Sequence, residues 1–272
     1  MEKQCFNLIT FNVHANAFLF EKMAEFVSNK KRTIVAIQEK PKKVVLENIE
    51  KLNTVKLITD PNNKLVFILP KSMNVVEKKN IKKEIPTLLE SRTLEIDLPL
   101  EDYSVKIVNI HGFSKNPNGD DKNDDLFHDI NVEYKSFDRK IFLGDFNTNP
   151  YEKNMRLETR IYANRDFEDV ITSEKDVLYN PSWKYLIERR NFKGTLYFGA
   201  TIPKWNVYDQ ILISRNLVGE IDGTGVNKKY KSFVKLFHIP NRLGSLSFAP
   251  SLGYDKDNNI SDHMPVLLTL EM

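Results

Sequence analysis

The sequence has little of several features that would place it in a special class of protein. Only one of its 272 residues, Cys5, is a cysteine, which excludes an internal disulfide framework and suits a reducing compartment. No stretch approaches the roughly 18 apolar residues of a membrane-spanning helix. The polar start, Met1–Gln4, lacks the features of a secretory signal. We therefore expect a cytoplasmic protein without a membrane segment.

Charge of one sign is not in excess either. The chain has 40 Lys and Arg against 37 Asp and Glu, a net charge of +3, and 41% of its residues are hydrophobic. Such a composition permits a large core and a polyanionic substrate, but it does not require that substrate. Because we find no internal repeat, low-complexity tract or linker, we predict one domain over 1–272.

Lysines nevertheless occur in clusters. Clusters of this kind would suit contact with a phosphate backbone, but they are also typical of solvated loops, so both interpretations stay open. The clusters are Lys40, Lys42 and Lys43; Lys78, Lys79, Lys82 and Lys83; and Lys228, Lys229, Lys231 and Lys235.

Strands dominate the predicted elements, with helices between them, which is typical of an α/β protein. Strands are predicted over 5–12, 33–37, 55–60, 64–70, 73–79, 92–98, 103–110, 140–145, 207–213, 216–222 and 264–270. Helices are predicted over 17–30, 42–52, 124–137, 151–159 and 183–190. The polar segment 114–124 is predicted to be a loop beside His111.

The stretch Ile141–Pro150 carries the first chemical signal. Three apolar residues lead into Gly144, and Asp145 and Asn147 follow two residues apart. Because side chains alternate along an extended segment, we expect both to leave the strand end on one side, where α/β folds tend to build active sites. The alternative is an Asp-x-Asn turn that only satisfies backbone groups.

Other polar residues also follow apolar runs. Taken singly, each could be a turn residue or a helix cap, but their recurrence at strand ends favours a shared function. They are Asn12, Glu39, His111, Asp145 with Asn147, Asp209, and Asp262 with His263.

Together these motifs resemble those of the endonuclease/exonuclease/phosphatase superfamily, in the order in which that family carries them. The resemblance implies a four-layer α/β sandwich, with two mixed sheets packed face to face, helices outside and one site at an edge of the sheets. The matching pieces are Thr10-Phe11-Asn12, Ile37-Gln38-Glu39, Asn109-Ile110-His111, Leu143–Asn147, Tyr208–Ser214 and Ser261–Val266.

The same resemblance implies a metal-dependent phosphoester hydrolase. Glu39 would be the principal Mg²⁺ ligand, with Asn12 and Asp262 nearby, and we expect Mn²⁺ to substitute. Such hard oxygen ligands suit Mg²⁺.

For the reaction itself, the resemblance implies His263 as the general base and Asp209 as the group that orients its imidazole. Asp145 and Asn147 would orient the nucleophile and the phosphate. His111 would donate to a non-bridging oxygen or assist the leaving group, although a structural role for it stays open.

Three further residues are candidates for substrate binding. His14 stands where abasic-site endonucleases often carry an acidic residue, so it is either a phosphate contact or a surface residue. Trp205 and Tyr208 would contact substrate if they are exposed beside the site, but such aromatic residues are also common in cores.

The subfamily is less well marked. Lys40-Pro41 follows Glu39, and no Asp-Ser-Phe/Tyr-Arg motif occurs between 151 and 200, so we do not expect a standard abasic-site repair enzyme. Our first hypothesis is a Mg²⁺-dependent nuclease that acts on DNA, or less readily on RNA, without an obligate protein partner. The alternative is a phosphatase or phosphodiesterase of a small phosphorylated metabolite, nucleotide or lipid headgroup. A catalytically inactive binding module is disfavoured because every inferred catalytic residue is present.

Overall fold

The computed structural model describes residues 5–60, 64–77, 87–115, 119–135, 139–183, 194–198, 204–218, 233–238, 240, 242–243, 246–247 and 261–271. Its strands are β1 Cys5–Asn12, β2 Thr33–Gln38, β3 Val55–Thr59, β4 Val66–Pro70, β5 Val76–Glu77, β6 Thr93–Pro99, β7 Ser104–His111, β8 Lys140–Asp145, β9 Ala163–Asn164, β10 Leu178–Tyr179, β11 Leu196–Phe198, β12 Lys204–Asn206, β13 Asp209–Ser214, β14 Phe233–His238, β15 Arg242–Leu243, β16 Leu246–Ser247 and β17 Val266–Glu271. Its helices are α1 Ala17–Ser28, α2 Lys43–Lys51, α3 Thr87–Arg92, α4 Gly119–Tyr134, α5 Lys153–Arg156 and α6 Phe167–Thr172.

Two mixed sheets form the centre of the fold. The first has the strand order β14-β17-β1-β2-β4-β3, and the second has the order β5-β6-β7-β8-β13-β10-β9. In the first sheet β1 and β2 are parallel while β17 is antiparallel to β1. In the second sheet β7 and β8 are parallel while β13 is antiparallel to β8.

The sheets pack face to face, and helices cover their outer faces. One buried cluster joins side chains of both sheets, such as Leu8 and Phe67 from the first and Ile107 and Ile141 from the second. A second cluster packs α1 and α2 on the outer face of the first sheet, and a third packs α3 and α4 on that of the second. The predicted four-layer α/β sandwich is therefore confirmed. That 1–272 form one domain stays a prediction.

Local sequence explains why these elements form where they do. All six residues of β2 are buried, as a continuous apolar run between two layers requires. Helix α1 begins at an N-cap, Asn16, whose side chain accepts a hydrogen bond from the amide of Leu19. Among the helices within the described ranges, none is long and apolar enough to cross a membrane.

Several predicted boundaries were wrong. The predicted loop over 114–124 is partly helical, because α4 begins at Gly119 with Asp120 and Asp121 in its first turn, where carboxylates favour a helix N-terminus. The strand predicted over 216–222 is instead a short 3₁₀ turn at Arg215–Leu217, and 219–222 lie outside the described residues. The helix predicted over 151–159 shrinks to Lys153–Arg156, and nearly all of the helix predicted over 183–190 lies outside the described residues.

Candidate active site

The polar residues at strand ends meet at one edge of the sandwich. Parallel pairing places Asn12 beside Gln38 at the ends of β1 and β2, and His111 beside Asp145 at the ends of β7 and β8. Antiparallel pairing places Asp209, the first residue of β13, opposite Asp145. Because β17 is antiparallel to β1, the residues just before it return to the same edge.

A buried amide pair holds the two sheets in register beneath this edge. Gln38 of the first sheet donates to Asn109 of the second at 2.7 Å, and Asn109 donates to the carbonyl of Ile37 at 3.1 Å. Both side chains are fully buried. Since each bond crosses from one sheet to the other, the pair fixes how the site's two halves face each other.

His263 and Asp209 form the central hydrogen bond of the site. His263 Nδ1 lies 2.9 Å from Asp209 Oδ2, and both side chains are buried. This contact leaves Nε2 facing the other carboxylates, at 3.9 Å from Asp145 Oδ2 and 4.0 Å from Asp262 Oδ1. The imidazole is therefore oriented by one carboxylate, with its second nitrogen directed into the cluster.

The surrounding carboxylates make His263 a strong base. Burial lowers the pKa of His263, but the charges of Asp209, Asp145 and Asp262 and the hydrogen bond to Asp209 together raise that pKa to about 10. The imidazole consequently binds a proton strongly.

Hydrogen bonds to two hydroxyl groups position His263 and Asp209. The Ser261 hydroxyl donates to the carbonyl of Asn12 and accepts from the amide of His263, both at 3.1 Å. The amide of Asp209 donates to the Thr195 hydroxyl at 3.0 Å. The sequence analysis gave neither Ser261 nor Thr195 a role, because such support by hydroxyl groups is visible only once the strands are paired.

Asn12 links carboxylates that come from different sheets. Its amide nitrogen donates to Glu39 Oε1 at 3.2 Å and to Asp145 Oδ2 at 3.1 Å. His111 Nε2 lies 3.8 Å from Glu39 Oε1 and 3.9 Å from Asp145 Oδ2. Asn12, Glu39, His111 and Asp145 therefore form one polar cluster.

The environment sets the charge of this cluster. Burial raises the pKa of Glu39, but the hydrogen bond from Asn12 and the charges of the nearby histidines lower that pKa by more than burial raises it. The net shift is downward, so Glu39 is ionised. Burial dominates at Asp145 and raises its pKa. Burial also dominates at His111, whose pKa is lowered despite the two carboxylates, which favours a neutral imidazole.

Strained backbone accompanies the polar side chains. Glu39 has φ 54° and His14 has φ 51°, in the left-handed region that non-glycine residues rarely adopt. Such outliers commonly occur where a functional side chain must be presented at a fixed angle. Gly144 has φ 153°, and a Cβ atom there would lie 1.9 Å from the Ile110 carbonyl oxygen, so only glycine permits β7 and β8 to approach so closely beside Asp145.

The expected geometry of Asp145 and Asn147 was wrong. The strand ends at Asp145, and Asn147 has φ 50°, so extended alternation does not reach it. Asp145 Oδ1 accepts from the amide of Asn147 at 2.9 Å, and the Asn147 side chain donates to the Gly112 carbonyl at 3.2 Å. The turn interpretation therefore holds for Oδ1, while Oδ2 of the same carboxylate faces the cluster.

The three candidate substrate contacts have different environments. His14 is partly exposed, with Nδ1 3.9 Å from Asp262 Oδ1. Trp205 is half-buried and packs on Tyr197, with ring centroids 5.1 Å apart, on the β11-β12 hairpin, whose Tyr197 amide donates to the Asp262 carbonyl at 3.0 Å. Tyr208 is buried, and burial raises its pKa. Trp205 is thus placed beside the site, whereas Tyr208 is mainly a packing residue.

Oxygen donors at this edge suit a hard cation. Within the described ranges, no group of three or more His, Cys, Asp or Glu side chains is arranged to hold a metal ion. Mg²⁺ does not need such a cage, because it usually takes one or two carboxylates and keeps several waters. The ionised Glu39 meets that need, and Asp262 Oδ1 is buried without a hydrogen-bond partner among the described residues. The donor set is therefore compatible with Mg²⁺.

The fold is that of the endonuclease/exonuclease/phosphatase superfamily, so the resemblance seen in the motifs is confirmed at the level of the fold. TDP2 of D. rerio, solved with a single-strand DNA product, has a TM-score of 0.65 and 12% identity, covering 99% of this chain and 100% of that chain. An endonuclease/exonuclease/phosphatase family protein from Bacteroides thetaiotaomicron has a TM-score of 0.58 and 13% identity, covering 100% of this chain and 99% of that chain. The endonuclease domain of TRAS1, a telomere-specific non-LTR retrotransposon, has a TM-score of 0.55 and 11% identity, covering 98% of each chain. No family model and no curated protein matches the sequence.

Proposed function

We propose that this protein is a Mg²⁺-dependent phosphodiesterase, and that it hydrolyses DNA in preference to RNA. The observation that carries the proposal is the His263–Asp209 pair, which aims a strongly basic imidazole nitrogen into a buried cluster of carboxylate, amide and imidazole groups. That arrangement suits attack by water on a phosphoester.

In this mechanism the neutral form of His263, with Nδ1–H directed at Asp209, takes a proton from the attacking water at Nε2. Asp209 stabilises the resulting imidazolium and keeps the ring in the required orientation through the 2.9 Å contact with Nδ1. Asp145 and Asn147 hold the nucleophile and the phosphate, with the Asp145 carboxylate tied in place by Asn12 and by the Asn147 amide. His111 donates to a non-bridging oxygen or to the leaving group.

Glu39 would hold the metal ion, with Asn12 and Asp262 nearby. When bound, Mg²⁺ or Mn²⁺ supplies positive charge that stabilises the negative charge developing on the phosphate. This assignment accounts for the ionised state of Glu39 and for its fixed backbone conformation.

The fold comparisons support a nucleic-acid substrate. One chain of similar fold was solved with a single-strand DNA product, and another is an endonuclease domain. Trp205, packed at a tilt against Tyr197 beside Asp262, and the partly exposed His14 are the groups that we assign to substrate contact. A reducing, cytoplasmic location belongs to the proposal, since the sequence has a single cysteine, Cys5, and so no internal disulfide.

The direct test is incubation with labelled linear, circular, single-stranded and abasic-site DNA, with Mg²⁺, Mn²⁺ or EDTA. The His263→Ala and Glu39→Ala proteins run beside the wild type, and Lys175→Ala, a change of an exposed lysine paired with Glu158, serves as control. We expect cutting with either metal, none with EDTA, and a loss in both site variants only. DNA cleavage that persists in both site variants would contradict the mechanism. Cleavage of small phosphoesters alone would overturn the assignment as a nuclease.

A further inference from the structure

Arg92 lies beside the site, and the sequence analysis did not single it out. It is the last residue of α3 and is half-buried, with its guanidinium carbon 3.9 Å from the centroid of the Phe113 ring. A guanidinium that lies over an aromatic ring still has N–H groups that can bind oxygen atoms.

The ring beneath Arg92 is rigidly held next to the reactive groups. Phe113 follows His111 by two residues, and the amide of the intervening Gly112 donates to the Asp145 carbonyl at 2.7 Å. The buried side chain of Asn123, from α4, accepts from the Phe113 amide at 2.7 Å and donates to its carbonyl at 2.8 Å. The loop that carries Phe113 is therefore fixed to both the site and the outer helix.

The cations here lack carboxylate partners. Lys122 Nζ lies 5.6 Å from the centroid of the same Phe113 ring. Across the residues that the structure describes, neither Arg92 nor Lys122 forms an ion pair, whereas nearby Lys115 is paired with Glu152. Two cations at one aromatic ring, neither in an ion pair among the described residues, attract an anion.

Electrostatics place this feature close to the reaction. Burial lowers the pKa of Arg92, and the charge of Glu39 opposes that shift. Arg92 in turn contributes to the lowered pKa of His111. An anion held by Arg92 would therefore be a neighbour of the phosphate at Glu39 and His111.

We propose that Arg92 and Lys122, on the Phe113 ring, bind a second phosphate, the one adjacent to the scissile phosphate in a polynucleotide. We name these three residues the Arg92 subsite. The inference rests on the proposed function and deepens it, because a substrate with a single phosphate leaves this subsite empty. It follows that the enzyme prefers a polynucleotide to a small phosphoester.

The test compares substrates with and without a flanking phosphate. The wild type, Arg92→Ala and Arg92→Lys are assayed on a short single-stranded deoxyoligonucleotide and on bis(p-nitrophenyl) phosphate, a diester without a second phosphate. Once the wild-type cleavage position is mapped, the phosphate on either side of it is replaced in turn by an uncharged methylphosphonate. The matched control is Arg32→Ala, which removes an exposed arginine that lies over Phe6, with 5.9 Å between guanidinium carbon and ring centroid, at the far end of β2. Thermal melts verify that each variant is folded.

We expect Arg92→Ala to lower kcat/KM for the oligonucleotide about tenfold more than for the small diester, as loss of one charged hydrogen bond implies. One methylphosphonate should lower the wild-type value by about tenfold and leave that of Arg92→Ala within about twofold. Arg92→Lys should recover part of the loss, and Arg32→Ala should match the wild type.

Two results would overturn the inference alone: equal losses on both substrates, or a methylphosphonate effect as large in Arg92→Ala as in the wild type. Cleavage of the small diester without cleavage of any oligonucleotide would overturn it together with the assignment as a nuclease. A wild type that cleaves neither diester with Mg²⁺ or Mn²⁺ would instead overturn the proposed function, and this inference with it.

Discussion

Gln38 and Asn109, from facing sheets, are joined by a 2.7 Å hydrogen bond within a fully buried layer just below the candidate site. Gln38 immediately precedes Glu39, and Asn109 precedes His111 by two residues. The amide pair therefore fixes the distance between a proposed metal ligand on one sheet and a proposed acid on the other. Losing either amide removes a hydrogen-bond partner of the other in a layer that water does not reach.

Asn109→Ala should lower the free energy of unfolding by about 1–3 kcal/mol, because the buried Gln38 amide then loses its 2.7 Å acceptor and the buried Ile37 carbonyl loses the Asn109 donor. Urea unfolding measures the change. Asn29→Ala, which removes an exposed amide at the end of α1, is the control and should cost no more than about 0.5 kcal/mol. An equal decrease in the free energy of unfolding of the two variants would show that the cross-sheet bond contributes no more to stability than an exposed amide does.

Asp209→Asn should lower kcat by about a thousandfold or more while leaving the fold intact, because the amide cannot stabilise the imidazolium or hold the same tautomer of His263. Steady-state cleavage of DNA measures it, with circular dichroism as the check on folding. Asp166→Asn, at the exposed N-cap of α6, is the control for a change of the same type. A drop of less than about tenfold would show that Asp209 only packs against the ring.

The metal-free protein should lose stability as the pH rises from about 7 to 10. The pKa of His263 in the folded state, about 10, lies above its ordinary value of 6.5. The stabilisation by the protonated imidazole is therefore fully present below pH 6.5 and is lost as the pH rises through 10. Unfolding in EDTA across this pH range measures the slope, and Asp209→Asn should flatten it because the carboxylate that contributes most to the shift is gone. A slope unchanged by that substitution would contradict the assignment to His263.

Ser261→Ala should reduce activity by about ten- to a hundredfold, because the Ser261 hydroxyl ties the Asp262–His263 turn to the Asn12 carbonyl of β1. The loss of stability should be only about 1 kcal/mol, so the two readouts separate. Ser28→Ala, which removes an exposed hydroxyl bonded to the Glu25 carbonyl, should change neither. If activity falls only in proportion to stability, the positioning role is wrong.

Much of the fold could be predicted because its strands carry their own signal. The almost wholly apolar β2 and the aromatic and β-branched residues of β1 need no tertiary information to be recognised. The start of α4 was missed because Gly119–Asp124 have no apolar period, and the helix there is fixed by packing and by the bonds of Asn123 to Phe113. Local pattern cannot report a contact whose partner lies on another element.

The candidate site was predictable to a similar extent. The residues at strand ends lie together as expected, since strand ends share one edge. Asn147 was misjudged because a left-handed backbone at that residue breaks the alternation on which the prediction depended. Arg92 was missed because its importance comes from Phe113, twenty-one positions along the chain, and not from any spacing near itself.

The pairing of β17 with β1 brings together residues whose codons lie at opposite ends of the described sequence. During synthesis β1, β2, β7 and β8 leave the ribosome long before His263, so Glu39, His111 and Asp145 are made without the base that completes them. The proposed activity is therefore absent from a nascent chain until β17 has emerged and docked on β1.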